Sequence, residues 1–349
     1  MACRRTLQSC RSGLTLLRKF DRQQQLRHSR SYGRDVAIIG APFKKGQRLA
    51  GVEQGPRVMR EAGLIEKLRD LGHNVEDRGD LKFEVFKDDP KNYVLNPKAV
   101  GSAAKKVSKA VEQAVRDNKL TVTLGGDHSI SIGTIHGHAQ AEPNLCLLWI
   151  DAHADINTPL TTLSGNIHGT PLSFLVNQLK DAIPWAALTP FDWLQPCLNI
   201  TDIAFVGLRD LDPGERYILQ KFNITSFSIH EVDRYGIHEV IARSLDAVNP
   251  KGDRPIHMSF DIDSVDPAVT GATGTPVPGG LTFREGMFIA EHVYRTGLLS
   301  ALDLVEVNPE VGSRQDKANT VMTAVEVLTA CLGKKREGNL QPGYELPMP

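Results

Sequence analysis

Acidic residues and histidines directly follow four apolar segments of this 349-residue sequence. The segments are TVTLGG, CLLWI, IHMSF and ALDLV. The polar residues that come after them are, in chain order, Asp127, His128, Asp151, His153, Asp155, Asp261, Asp263 and Glu306. An unpaired buried charge is strongly destabilising, so such residues must be hydrogen-bonded, ion-paired or bound to metal.

The spacing of these residues favours a metal site. Alternate side chains of extended backbone point the same way, so DAHAD and DID each direct their donors to one point. All donors are nitrogen or oxygen, which suits Mn²⁺ or a related ion better than structural zinc. The candidate ligands are His128, Asp151, His153, Asp155, Asp261 and Asp263. Ordinary caps and ion pairs at strand ends are the alternative.

The number of ligands indicates more than one ion. Six ligands are too many for one ion that keeps a water, but they suit two ions about 3.5 to 4 Å apart that share bridging carboxylates. Four carboxylates offset two divalent cations, and a hydroxide between the ions leaves a charge of about −1. Such a centre favours a cationic electrophile. We expect Asp127 to support the ligand His128 without binding a metal ion itself.

Short apolar runs alternate with segments of helical period, and these elements must position the polar residues. Helices are predicted at 56–71, at 97–117 with Asn96 as the N-cap, and at 283–295. The predicted strands are Val36–Ile39, Leu120–Leu124, Leu145–Ile150, Ile203–Val206, Pro255–Phe260 and Leu298–Val305. This alternation predicts an α/β fold, a three-layer parallel sheet with helices on both faces. Ligands of such sheets bind beyond the carboxyl ends of the strands.

The N-terminal segment differs in composition from the rest. Residues 1–33 carry eight basic side chains and one acidic one, together with scattered leucines. This composition is typical of a mitochondrial transit peptide, and a disordered basic tail is the alternative. The remaining chain has 33 basic and 40 acidic residues, which argues against nucleic acid as the main partner.

Other features exclude further classes of protein. No apolar stretch approaches the roughly 20 residues that a membrane span needs. The five cysteines are widely separated and form no C-x-x-C pair, which disfavours a disulfide framework or a thiolate zinc site. No repeat or interdomain linker is evident, so we expect one catalytic domain over residues 34–336, followed by a tail over 337–349.

Five ordered motifs resemble the ureohydrolase family, and within it the arginases. They are GGDHS at 125–129, DAHADINTPLTTLSGNIHG at 151–169, SFDIDSVDP at 259–267, ATGTPVPGGLTFREG at 272–286 and LDLVEVNP at 302–309. The resemblance implies that the six ligands hold two Mn²⁺ ions. It further implies that a hydroxide bridging these ions attacks the guanidinium carbon of L-arginine and gives L-ornithine and urea.

The resemblance also implies roles for residues around the metals. His168 follows an SGN turn, and its ordinary pKa near 6.5 suits a proton shuttle to the leaving amine. A solvent-facing loop histidine is the alternative. Glu306, catalytic in this interpretation, matches the residue that pairs with the substrate guanidinium in arginases. Thr275 is expected to orient the Gly-rich loop, unless it serves only the turn.

Recognition of the amino-acid end separates arginases from their relatives. A neutral polar stretch that suits an α-carboxylate comprises Asn157, Thr162, Ser164 and Asn166. Asp212 is expected to meet the α-ammonium directly and Asp210 through water, with favourable helix N-terminal charges as the alternative. Thr170 departs from the arginase pattern and is more familiar from agmatinases.

Two alternative functions and two further expectations stay open at this point. Agmatinase or another guanidino hydrolase is one alternative function, and a non-catalytic relative that binds metal or arginine is another. Family arginases are usually trimers that use a C-terminal tail and an arginine matching Arg336, so a homotrimer is expected. With a transit peptide, the resemblance further implies the mitochondrial matrix.

Overall fold

The computed structural model describes residues 33–340 and 344–347, so the transit-peptide prediction lies outside the described residues. Eight strands form one sheet in this part of the chain. They are β1 (Asp35–Ala41), β2 (Asn74–Asp80), β3 (Leu120–Gly125), β4 (Cys146–Ile150), β5 (Ile203–Leu208), β6 (Thr225–Ser228), β7 (Ile256–Asp261) and β8 (Leu299–Val305).

The strands are parallel throughout and follow the order β2-β1-β3-β8-β7-β4-β5-β6. The inner strands β3, β4 and β7 are buried along their whole length because both of their faces are covered. Trp149 of β4 is fully buried, as are Phe205 of β5 and Phe260 of β7. The fold class is therefore the predicted α/β parallel sheet.

Helices cover both faces of the sheet. They are α1 (Gly55–Glu61), α2 (Leu64–Asp70), α3 (Pro97–Arg116), α4 (Ser131–Ala141), α5 (Pro171–Leu175), α6 (Pro213–Lys221), α7 (Ile229–Val248), α8 (Phe283–Thr296) and α9 (Arg314–Cys331). One core lies under α1, α2, α7, α8 and α9, and the other lies under α3 to α6. These two cores on either side of the sheet make the three layers.

Two details of the predicted helices were wrong. The single helix expected over residues 56–71 is two helices, because Gly63 between them adopts a left-handed conformation with φ of 83°. Asn96 precedes α3 as predicted, but it too is left-handed, with φ of 52°, and makes no side-chain cap. Its Nδ2 donates instead to the Lys45 carbonyl at 2.8 Å, which ties the start of α3 to a loop near the carboxyl edge.

The edge strands β2 and β6 were not predicted. β2 has the sequence NVEDRGD and β6 has only four residues, TSFS, so neither shows the apolar pattern of a buried strand. None of the helices in the described ranges is both long and apolar enough to cross a membrane.

Candidate active site

Five neighbouring strands of the sheet deliver the polar residues to one edge. The strands β3, β8, β7, β4 and β5 lie side by side, and the chain leaves each of them at its carboxyl end. The candidate ligands lie at the end of β7 or shortly after β3, β4 and β7, while Glu306 directly follows β8. Asp210 and Asp212 lie just after β5. The sheet therefore brings together residues that are up to 178 positions apart in sequence, as between His128 and Glu306.

A first group of donors surrounds the His128 ring. Nδ1 of His128 lies 3.1 Å from one carboxylate oxygen of each of three residues, Asp151, Asp155 and Asp261. This nitrogen is buried and has no hydrogen-bond partner of good geometry in the described structure. A single proton cannot satisfy three carboxylates, so the position suits a cation.

A second group shares Asp151 with the first. Nδ1 of His153 lies 3.2 Å from Asp263 Oδ2 and 3.4 Å from Asp151 Oδ1, whereas Asp151 Oδ2 belongs to the His128 group. A histidine and two aspartates of each group lie close enough to hold a metal ion, namely His128, Asp151 and Asp261 in the first and His153, Asp151 and Asp263 in the second. A shared carboxylate between two sites is what a pair of divalent ions requires.

The electrostatics of the protein alone are unfavourable at this centre. Burial, followed by the charges of Asp263 and Asp151, raises the pKa of Asp261 well above its ordinary value. Burial opposes a charge on His128, but the surrounding carboxylates outweigh it and raise the pKa of this ring well above its usual range. Carboxylates this close repel one another, and cations relieve that repulsion.

Two side chains that sequence reasoning did not assign hold the ligands in place. Ser259 Oγ contacts Nε2 of His128 at 2.9 Å, which leaves Nδ1 to face the carboxylates. Trp149 of β4 stacks on the His128 ring with centroids 4.1 Å apart and donates from Nε1 to Asp151 at 3.0 Å. Such contacts orient metal ligands and fix their tautomers.

Asp127 does not contact the His128 ring. Its carboxylate accepts hydrogen bonds from the backbone N–H groups of Gly46 and Ser129, at 2.8 and 3.0 Å. The Gly46 carbonyl in turn accepts from the backbone N–H of His168 at 3.0 Å. Asp127 therefore anchors the 44–47 loop beside His168, rather than supporting His128 as the sequence suggested.

His168 and Glu306 contact each other at the edge of the metal groups. Nδ1 of His168 lies 3.0 Å from Glu306 Oε1, which also accepts from the backbone N–H of His128 at 2.8 Å. Burial opposes a charge on His168, but the carboxylate of Glu306 outweighs it and raises the pKa of this histidine to about 9. The proposed shuttle is thus a partly buried, ion-paired residue, not a solvent-facing loop histidine.

A cavity of about 130 Å³ opens onto both metal groups, with Asp155 and Asp261 of the first group and His153 of the second in its wall. Nine of the residues predicted from the sequence line it, together with Gly169 and Glu215. The nine are His153, Asp155, Asn157, Ser164, His168, Asp210, Asp212, Asp261 and Thr275. Thr275 also donates to Asp263 Oδ2 at 3.0 Å, so its hydroxyl does more than form a turn. Thr162 and Asn166 belong to the same loop but are not among the lining residues; Thr162 Oγ1 accepts from Gly165 N–H.

Glu215 is a lining residue that the sequence reasoning missed. It is 3% exposed, and its two oxygens accept from the backbone N–H groups of Ile156 and Asp212, at 3.2 and 3.0 Å. Burial, followed by the charge of Asp155, raises the pKa of Glu215 to about 8. The D-P-G-E spacing of a capping box before α6 was the feature that could have identified it.

Comparison with known proteins gives this site a family. The Arginase family model matches residues 34–333. The chain belongs to the arginase family. It is 52% identical over 307 residues to the hepatic arginase of Aquarana catesbeiana, covering 87% of this chain and 94% of that one. It is also 52% identical over 317 residues to the mitochondrial arginase-2 of Homo sapiens, covering 90% and 89%.

Solved structures of arginases share the architecture. The arginase of Bacillus subtilis aligns with a TM-score of 0.78 and 36% identity, over 86% of this chain and 99% of that one. Membership of the arginase family makes this protein a metal-binding hydrolase, and its buried histidine and aspartate groups are the sites that fit the metal.

Thr170, which departs from the arginase pattern, does not face the cavity. It is fully buried, and its hydroxyl donates to the carbonyl of Ile167 at 2.9 Å. Its carbonyl accepts from Ser173 Oγ. Thr170 therefore stabilises the turn after His168. Its departure from the arginase pattern gives no reason to expect a different substrate.

Proposed function

We propose that this protein hydrolyses L-arginine to L-ornithine and urea with two Mn²⁺ ions. The observation that carries the proposal is the pair of ligand groups around His128 and His153, which share Asp151. In this proposal His128, Asp151, Asp155 and Asp261 hold one ion, and His153, Asp151 and Asp263 are ligands of the other. The bound ions would supply Lewis acidity and lower the pKa of water, so that hydroxide is available near neutral pH.

The surrounding residues then bind and orient the substrate. Glu306, buried at the end of β8, offers a carboxylate to the guanidinium group. Asp212 meets the α-ammonium, and Asp210, whose side chain is 67% exposed, reaches it through water. The α-carboxylate is received by the neutral residues Asn157, Thr162, Ser164 and Asn166.

His168 transfers the proton that the products require. Hydrolysis breaks the bond between the guanidinium carbon and Nε of arginine, and the leaving amine takes up a proton. Glu306 holds Nδ1 of His168, so Nε2 is the nitrogen available for exchange at the cavity. The pair keeps the ring oriented while it donates.

Urea release tests the function directly. Purified protein is freed of metal, loaded with Mn²⁺ and supplied with L-arginine, while the metal content is counted in parallel. We expect urea and ornithine in equal amounts, and two ions per chain at full activity. Full metal loading without urea release would support the non-catalytic alternative and reject the proposal.

Two substitutions separate the proposed shuttle from the metal ligands. His168→Ala should lower kcat by about 10²- to 10⁴-fold with the metal content unchanged, because it removes only the proton donor. Asp155→Ala should lose metal as well as activity, since it removes a ligand. Metal counting and steady-state kinetics on both variants check this. Full activity with full metal in both would show that the roles are wrongly assigned.

The substrate is tested against its decarboxylated counterpart. Agmatine has the guanidinium and the amine of arginine but no carboxylate to fill the neutral loop. Leaving hydrogen-bonding groups unpaired costs about 1–3 kcal/mol, so kcat/KM should favour arginine by roughly tenfold or more. A preference for agmatine would identify the protein as an agmatinase.

Location and assembly are proposed from the resemblance. Residues 1–33 act as a presequence that directs the domain over 34–336 to the mitochondrial matrix, in line with the mitochondrial arginase-2 among its relatives. Import into isolated mitochondria with loss of that segment is the test.

The chain is further proposed to form a homotrimer through its 337–349 tail and Arg336, which pairs with Glu291 at 2.8 Å within one chain. Light scattering should give three times the mass of one chain.

A further inference from the structure

Thr161 lies next to the substrate loop and has no role in the proposed function. Its hydroxyl oxygen accepts a hydrogen bond from the backbone N–H of Thr158 at 2.9 Å. The same hydroxyl donates to Oδ1 of Asn157, also at 2.9 Å. A hydroxyl has only one proton, and here the Thr158 contact leaves that proton for Asn157.

Asn157 is fixed at both ends of its amide. Nδ2 donates to Asp212 Oδ2 at 2.9 Å, while Oδ1 accepts from Thr161. A rotated amide would set Oδ1 against the Asp212 carboxylate, which repels it. Asn157 is 3% exposed and lines the cavity, and the described residues offer no acceptor to its second N–H.

The packing around this group leaves little freedom. A side chain at Gly214, in the first turn of α6, would come within 2.7 Å of Asn157 Oδ1 and 2.8 Å of the Thr161 Cβ. Glu215 fixes the backbone on both sides by accepting from Ile156 and Asp212. The loop and α6 therefore hold the amide between Thr161 and Asp212.

We propose that Thr161 is a positioning residue for substrate specificity: its hydroxyl fixes the Asn157 amide so that one N–H binds Asp212 and the other binds the α-carboxylate. The inference rests on the proposed function, because it assumes an α-amino acid in this cavity. Ligands without a carboxylate do not depend on Thr161.

The test compares Thr161→Val, which keeps the shape and removes the hydroxyl, with Thr161→Ser, which keeps the hydroxyl. Binding to the Mn²⁺-loaded protein is measured by calorimetry with L-ornithine and with 1,4-diaminobutane, which lacks only the carboxylate. Thr161→Val should weaken ornithine binding by about threefold to tenfold, the effect of one hydrogen bond, and change diamine binding less than twofold. Thr161→Ser should restore the wild-type ratio.

Kinetics and a second variant add independent readouts. In Thr161→Val, KM for L-arginine should rise in parallel with Kd for L-ornithine, while kcat stays within about twofold of the wild-type value. In an Asn157→Ala background, Thr161→Val should have no further effect on ornithine binding. An unchanged ornithine-to-diamine ratio in Thr161→Val, or equal weakening of both ligands, would overturn the inference. Absence of arginine hydrolysis by the wild-type protein would reject the proposed function, and the binding ratio would still decide the role of Thr161.

Discussion

Two residues of the candidate site have backbone conformations that side chains rarely adopt. Asp155 has φ of 50° and Glu306 has φ of 62°, both in the left-handed region. Such conformations cost on the order of 1–3 kcal/mol and persist where the surrounding structure fixes them. Here Glu306 is fixed by its backbone hydrogen bond to Gly126 and its contacts with His128 and His168. The strain therefore lies where the carboxylates must be placed.

Ser259 provides the residue-scale prediction. Ser259→Ala removes the contact to Nε2 of His128, so the ring loses the partner that sets its orientation and tautomer. We expect the affinity for Mn²⁺ to fall by about 10- to 100-fold. Titration of the metal-free protein with Mn²⁺ measures this. The control is Ser244→Ala, which changes a buried serine on α7 whose hydroxyl donates to the Val240 carbonyl of the same helix. Equal affinity in both variants would contradict the role of Ser259.

Polar side-chain contacts also join helices and strands inside the core, in addition to those at the sheet edge. Thr134 of α4 donates to Asp303 of β8, which also contacts His257 of β7 at 2.9 Å. His257 in turn contacts His138 of α4 at 3.1 Å between their Nδ1 atoms. Because α4 starts three residues after His128, these contacts fix the helix that follows this ligand against β7, which ends at Asp261, and β8, which precedes Glu306.

Asp303→Ala tests this buried network. The substitution leaves His257 and Thr134 without their shared acceptor in the core, and breaking such a buried pair costs about 3–5 kcal/mol. Chemical unfolding of the metal-loaded protein should show a loss of stability of this size, at one fixed protein concentration. Asp253→Ala, at an exposed position, should change the unfolding free energy by less than about 0.5 kcal/mol. A similar small change in Asp303→Ala would show that the network is not stabilising.

Helices α7 and α8 also meet through His238 and His292, and this contact predicts that stability depends on pH. Burial, followed by the charges of His238 and Arg295, lowers the pKa of His292 to about 4. The His292 ring also lies beside Phe288, and no acid is among the groups that shift its pKa. Between pH 4 and 6.5 the unfolded chain binds a proton that the folded chain does not, so stability rises with pH across this window.

His292→Gln should flatten that slope. The difference in unfolding free energy between wild type and variant should change by about 1–3 kcal/mol from pH 4 to 6.5, since one pKa unit corresponds to about 1.4 kcal/mol. Taking the difference at each pH removes the titration of the metal ligands, which both proteins share. Parallel curves for the two proteins would contradict a lowered pKa at His292.

For the whole molecule, metal and stability are linked. Four aspartates are buried beside two histidines, so the protein without cations retains their mutual repulsion. Chelation should lower the unfolding temperature by at least about 5 °C, because an ion at 100 times its Kd contributes about 2.7 kcal/mol. Differential scanning fluorimetry before chelation, after it and after return of Mn²⁺ measures this. An unchanged transition in protein shown to be free of metal would contradict the linkage.

The sequence by itself determined the strands that contain the site and the residues at their ends. Apolar runs identified β1, β3, β4, β5, β7 and β8, because strands that are buried on both faces consist mainly of hydrophobic residues. The ordered motifs also identified the family. The polar edge strands β2 and β6 and the break at Gly63 were missed, since their residues follow no periodic pattern.

Only the tertiary structure decided which residues are neighbours. Strand order places β8 between β3 and β7, so Glu306 contacts His128 and His168 although the three are far apart in sequence. The same order sets Ser259 against the His128 ring, and the fold sets Thr161 against Asn157. Periodicity reports which side of an element is buried, but contacts between elements depend on packing across the whole chain, which no local pattern encodes.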